Sequence, residues 1–134
     1  MPAKLAGLLW FGVDDSSTTV RFPIYGSATR VPQSFAGQGA QDGVTPPVMK
    51  FSMQNAFSVF NLVANWAYTR WNLIYPDIAA EIDRKEEEYL KEVQQMDLFA
   101  AKIAEEKGDD AAVEYVTEYS VKTGNQLVRD WGTI

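Results

Sequence analysis

The longest helical pattern in the chain is residues 76–108, PDIAAEIDRKEEEYLKEVQQMDLFAAKIAEEKG. Its apolar side chains recur at spacings of three, four and seven, which indicates one face of a helix; they are Ile78, Ile82, Tyr89, Val93, Met96, Ala100 and Ile103. Pro76 suits a first helical turn, where its missing N–H costs nothing, and Gly108 suits the end. We therefore predict a helix from Pro76 to about Lys107, with residues 83–88 on a solvated charged face rather than in a metal site.

The residues after Gly108 keep helical spacing to Trp131. Asp109 or Asp110 fits the cap position of this further helix. Because the turn at Gly108 is short, the two helices are predicted to lie antiparallel. The aromatic and apolar pairs that it carries are interpreted as core contacts rather than as a ligand site; they are Tyr115 with Tyr119 and Leu127 with Trp131.

An earlier helix is predicted from Met53 to about Leu73, with Ser52 as its N-cap. Its apolar residues cover nearly the whole circumference, as in a helix that is buried on more than one side. A two-stranded hairpin and two other helices are too small to cover it. We therefore expect a partner surface to lie against this helix.

Polar residues interrupt this apolar helix at Asn55, Asn61, Asn65 and Arg70. Asn61 and Asn65 are one turn apart and share a face. Since buried polar groups require hydrogen-bond partners, the set either bonds the backbone of the preceding loop or lines a polar pocket. These four residues are the candidate site, with the structural interpretation preferred over the pocket.

The first 25 residues predict a β-hairpin, with strands at Leu5–Val13 and Thr18–Tyr25 joined by the turn formers of residues 14–17. Pro23 indicates an edge strand or a bulge. Residues 26–51 contain several glycines and prolines and predict a long loop, either packed on a neighbouring domain or mobile. The predicted fold class is α+β: one domain over residues 1–134, with a hairpin at 1–25, a loop at 26–51 and three helices at 52–134.

Composition limits the chemistry of the chain. Its 134 residues include no Cys and no His, which excludes thiolate or imidazole catalysis, a disulfide and a zinc site of the usual ligands. A net charge of −6 argues against nucleic acid and anionic membranes as partners. No run of about 20 apolar residues predicts a membrane span. We predict no cofactor and no metal.

Two segments resemble a known family. Residues 9–32, LWFGVDDSSTTVRFPIYGSATRVP, are similar to a stretch late in the dipeptidase A family of cysteine dipeptidases, and residues 55–71, NAFSVFNLVANWAYTRW, are similar to the helix that follows it there. The resemblance covers nearly the whole chain in order and spacing. It implies an αββα sandwich of the N-terminal-nucleophile hydrolase class, to which the hairpin would add strands and the helices a covering layer.

The family nucleophile is an N-terminal Cys, and this chain begins Met1-Pro2 and has no Cys. We therefore expect a C-terminal fragment of a dipeptidase that is inactive alone, with no family catalytic position assigned to its residues. Its expected partner is the remainder of the parent enzyme or a second copy of itself in a homo-oligomer. The alternative is a stand-alone α+β binding or assembly module that self-associates through its first helix.

Overall fold

A computed structural model describes residues 3–36 and 51–134 of the chain. Within these residues, a 3-10 turn at Ala3–Leu5 is followed by two strands, β1 at Leu8–Phe11 and β2 at Phe22–Tyr25, and by four helices. The helices are α1 at Gln33–Ala36, α2 at Ala56–Thr69, α3 at Trp71–Lys107 and α4 at Asp109–Trp131. The fold is mixed α+β and mostly helical, with an antiparallel two-stranded hairpin at the N-terminal end.

The hairpin was predicted correctly, but its strands are shorter and its connection longer than expected. Register pairs Leu8 with Tyr25 and Phe11 with Phe22, so residues 12–21 form the connection. Asp15 starts a tight turn there, because its Oδ1 accepts from the Ser17 N–H at 3.0 Å and its carbonyl accepts from the Thr18 N–H at 3.1 Å. This local bonding competes with strand pairing, which explains why the four-residue connection was wrong.

Helix α2 is shorter than predicted at both ends. Asn55, not Ser52, is its N-cap, and the Asn55 Oδ1 accepts from the Phe57 N–H at 2.9 Å. The predicted helix end at Leu73 was also wrong, because Arg70 has non-helical backbone angles (φ −150°, ψ 67°) and interrupts the helix after Thr69.

Helix α3 begins at Trp71 rather than at the predicted Pro76. The Arg70 carbonyl accepts from the N–H groups of both Leu73 and Ile74 at 3.0 Å. Trp71 and Tyr75, one turn apart, stack with ring centroids 4.2 Å apart. These contacts stabilise a turn ahead of the proline, which therefore lies inside the helix.

The predicted ends at Lys107 and Trp131 are confirmed. Gly108 has φ +94° and separates α3 from α4, a conformation that glycine adopts without strain. Gly108 is itself the N-cap of α4, so the predicted Asp109 or Asp110 cap was wrong, and both aspartates lie in the first turn. The loop predicted at 26–51 contains α1, and its residues 37–50 lie outside the described residues.

Helix α4 lies at the centre of the fold and contacts β2, α1, α2 and α3. Its polar edge accepts hydrogen bonds from the end of β2 and from the segment that follows it. Ser120 Oγ accepts from the Tyr25 N–H and Thr117 Oγ1 accepts from the Thr29 N–H, both at 3.2 Å. One core cluster includes Phe22, Phe60 and Trp131, and a second includes Leu5, Tyr25 and Val116. The two clusters fix the hairpin against the helical pair.

Candidate functional site

The four residues selected from sequence do not lie together. Asn55 caps the start of α2, and Arg70 is exposed at the junction between α2 and α3. Asn61 and Asn65 lie side by side between them, since the Asn65 Nδ2 donates to the Asn61 Oδ1 at 3.0 Å. The structure therefore brings Asn61 and Asn65 together, whereas Asn55 and Arg70 lie at opposite ends of the helix.

The hairpin connection lies against this amide pair. The Asn61 Nδ2 donates to the Asp14 Oδ2 at 3.3 Å, and the Tyr68 hydroxyl donates to the Asp15 Oδ2. Asp14 has φ +66°, a left-handed conformation that Asp and Asn adopt more readily than most residues. Asp14, Asp15, Asn61, Asn65 and Tyr68 are here called the hairpin–helix cluster.

The hairpin–helix cluster pairs carboxylate acceptors with amide and phenol donors and is not a proton-transfer site. The hydrogen bond from Tyr68, with those from Ser17, lowers the pKa of Asp15 below its usual value, and the same bond to Asp15 raises the pKa of Tyr68. At neutral pH the carboxylate stays ionised and the phenol stays protonated. Neither group is suited to abstract a proton near pH 7.

A groove of about 460 Å³ runs between α3 and α4. At one end the Lys85 Nζ donates to the Asp130 Oδ2 at 2.9 Å, and farther along the Tyr119 hydroxyl donates to the Glu92 Oε2 at 2.8 Å. Burial and the bond to Glu92 raise the pKa of Tyr119 well above its usual value. Two pairs in this groove, Lys85 with Asp130 and Tyr119 with Glu92, thus use their ionisable side chains to join α3 to α4.

Sequence reasoning missed Lys85, which it placed on the solvated face. Its side chain is only 8% exposed. A signal was available, because Lys85 follows Ile82 by three residues and precedes Tyr89 by four, which places it on the buried stripe of α3. The charge run therefore includes one buried cation whose partner comes from α4.

Apolar side chains are exposed along α2 and the start of α3: Leu62, Trp66, Tyr68, Trp71 and Leu73, here called the α2 face. The rings of Tyr68, Trp71 and Tyr75 stack in series, with centroids 5.6 and 4.2 Å apart. The opposite side of α2 is buried by Val59, Phe60, Val63 and Ala67. The helix is thus packed on one side and open on the other.

Within residues 3–36 and 51–134, no three acidic side chains converge to hold a metal ion. No helix in that part of the chain combines the length and apolar character needed to cross a membrane. Comparison of the chain with protein-family models, curated proteins and solved structures finds no match.

Proposed function

We propose that this chain is the C-terminal part of a cysteine dipeptidase of the N-terminal-nucleophile class, in which it supplies structure and no nucleophile. The dipeptidase name rests on the resemblance of residues 9–32 and 55–71 to that family. The placement within a larger sheet rests on the hydrogen-bonding edges of the hairpin.

The outer edge of β2 is closed. Register in an antiparallel pair alternates between hydrogen-bonded and non-bonded positions. The Gly26 N–H donates to the Gly7 carbonyl at 2.9 Å, so Gly7 and Gly26 form a hydrogen-bonded pair. By alternation, the pairs of Leu8 with Tyr25 and of Trp10 with Pro23 are non-bonded. Tyr25 and Pro23 therefore direct their backbone groups away from β1. Tyr25 donates to Ser120 at 3.2 Å, and Pro23 has no N–H. No donor on this edge is therefore left for another strand.

The outer edge of β1 is open, and this observation carries the proposal. By the same alternation, Leu8 and Trp10 direct their N–H and C=O groups outward, and no described residue bonds them. Leu9 and Phe11, the alternate side chains, are exposed. An edge with free backbone groups and no charged or proline residue accepts a further strand. The sheet of the parent enzyme would continue on this side.

The chain alone has no means to attack a peptide bond. Without Cys and His, its hydroxyls have no imidazole base, and hydrogen bonds from Tyr68 and Ser17 hold the Asp15 carboxylate ionised by lowering its pKa. We expect the purified chain to hydrolyse no member of a dipeptide series, measured as release of free amino acid. An authentic cysteine dipeptidase added to a parallel sample is the positive control, and turnover by the chain that survives repurification would refute the proposal.

Co-purification tests the larger assembly. An open reading frame directly upstream that encodes an early Cys and the rest of a sandwich is expected, and its product should bind this chain. Hydrogen exchange then locates the contact: in the free chain the Leu8 and Trp10 amides exchange quickly while Leu9 and Phe11 are protected by β2, and in the complex all four are protected. An isolated gene, or binding that leaves Leu8 and Trp10 unprotected, contradicts the proposal.

A further inference from the structure

The α2 face lies in a segment that is nearly free of charge. Residues 51–76 contain one charged residue, Arg70, in a chain that is 22% charged. Trp66 is 50% exposed, Tyr68 55% and Leu73 61%. Cores of protein interfaces are depleted in Lys, Glu and Asp and enriched in Trp, Tyr and Arg. This composition indicates an interface rather than a solvated surface.

The area of the α2 face suits a dimer. An aromatic side chain buries about 150–250 Å² when covered, so a half-exposed one still offers about 75–125 Å². Three aromatic side chains that are 36–55% exposed and two leucines that are 47% and 61% exposed together offer an area on the order of several hundred Å². With the polar residues between them, this approaches the roughly 600–800 Å² that each partner contributes to a stable complex.

The charges beside the α2 face are complementary to each other. Arg70 has no ion pair among residues 3–36 and 51–134, and Asp14 there bonds only the neutral Asn61. Arg70 follows Asn61 by nine residues, which is about 13 Å along a helix. A two-fold interface places the same surface on both partners, so it must be complementary to itself. Arg70 at the end of α2 and Asp14 beside Asn61, nearer the middle of the helix, meet this requirement, because the cation of each copy can lie beside the carboxylate of the other.

We propose that the α2 face is a two-fold interface between two copies of this chain, with the α2 helices antiparallel, Trp66 near the axis, and each Arg70 beside the partner copy's hairpin connection at Asp14. This inference goes beyond the dipeptidase proposal, since it concerns a different surface from the open edge of β1.

Sedimentation tests the interface on the full chain. We expect a dimer with a Kd in the micromolar range, about 1–100 μM, and a Trp66→Glu variant that weakens it at least tenfold. Leu98→Glu is the matched control, because Leu98 is 74% exposed on α3, away from the α2 face. It should leave the Kd unchanged, and circular dichroism should show both variants folded. A wild-type chain that is monomeric at about 100 μM assigns the surface to another protein and overturns the proposal.

A double-mutant cycle tests the antiparallel arrangement. Arg70→Gln and Asp14→Asn should each raise the Kd about two- to fivefold, as expected for exposed ion pairs, and the double variant should be no weaker than either single variant. Asparagine is chosen for position 14 because it tolerates the left-handed conformation there. Independent effects that multiply in the double variant would overturn this arrangement of the helices.

Discussion

Single residues decide how closely the hairpin packs on α4. Gly124 faces β2, and a Cβ at this position would lie 2.8 Å from the Phe22 Cε2 and closer still to the Pro32 Cγ. Both neighbours are buried and cannot move freely. The sequence shows only a glycine within a helical pattern, and the contacts that require it come from Pro32 and Phe22, 92 and 102 positions earlier.

We expect Gly124→Ala to lower the free energy of unfolding by about 1–3 kcal/mol, because overpacking outweighs the better helix propensity of alanine. Urea denaturation measures it. Gly132→Ala is the control, since Gly132 has helical backbone angles and a Cβ there would meet nothing nearer than 3.4 Å. Equal stability of the two variants would contradict the close packing of Phe22 and Pro32 against Gly124.

The Lys85–Asp130 pair makes the free energy of unfolding depend on pH in the acid range. Burial opposes the charge, but hydrogen bonds from Lys85 and Gln126 hold the pKa of Asp130 below its ordinary value of 3.8. Since the folded pKa is lowered, the unfolded chain binds more protons in acid. This contribution is present above about pH 5 and is lost as the pH falls below 3.8.

Asp130→Asn is expected to cost about 1–2 kcal/mol at pH 7, less than a fully buried pair because the Asp130 side chain is partly exposed. Its loss of stability between pH 5 and pH 2 should also be shallower than that of the wild type. Chemical denaturation across this range measures both effects. The control is Asp83→Asn, at an exposed position. If the wild type and both variants lose stability equally steeply between pH 5 and pH 2, the Lys85–Asp130 pair is not the cause of the acid sensitivity.

At the scale of elements, the spacing of apolar residues predicted helix positions better than proline and capping residues did. The stripe of α3, the turn at Gly108 and the end of α4 at Trp131 follow from spacing and from a glycine with positive φ. Pro76 was misleading, because the stacking of Trp71 on Tyr75 and the two bonds to the Arg70 carbonyl start the helix earlier. Asn61 and Asn65 could be paired from spacing, whereas their contact with Asp14 depends on the tertiary fold.

Pro76 therefore lies inside a helix, where it cannot donate to the carbonyl of Asn72. We expect Pro76→Ala to raise the free energy of unfolding by about 1–2 kcal/mol, the gained hydrogen bond being offset in part by a more flexible unfolded chain. Thermal and urea denaturation measure the gain. Asp77→Ala, at the next exposed position, gains only about 0.5 kcal/mol of helix propensity, so an equal effect of the two changes would contradict the lost bond.

At the scale of the whole molecule, the α3–α4 pair is anchored unevenly. One end buries Ile82, Leu127 and Trp131, whereas no residue of 101–111, around the Gly108 turn, is buried. Local opening needs little free energy where few apolar contacts are lost. The two ends of the pair should therefore differ in their dynamics.

We expect amides at 101–111 to exchange through local fluctuations that depend weakly on denaturant, and amides at 124–131 to exchange only on global unfolding. Native-state hydrogen exchange at increasing urea concentration measures this difference. The same urea dependence at both ends would mean that the pair opens as one cooperative unit.

The packing of Trp131 has an optical consequence. Its indole is fully buried and stacks on Phe60 with centroids 5.4 Å apart, whereas Trp66 and Trp71 face solvent. Buried indoles emit at shorter wavelength than hydrated ones and are shielded from dissolved quenchers. In a Trp10→Phe background, which removes the half-buried indole of β1, the emission spectrum contains separate signals from the interior and from the α2 face. Iodide quenching then reports coverage of that face while the blue component reports folding.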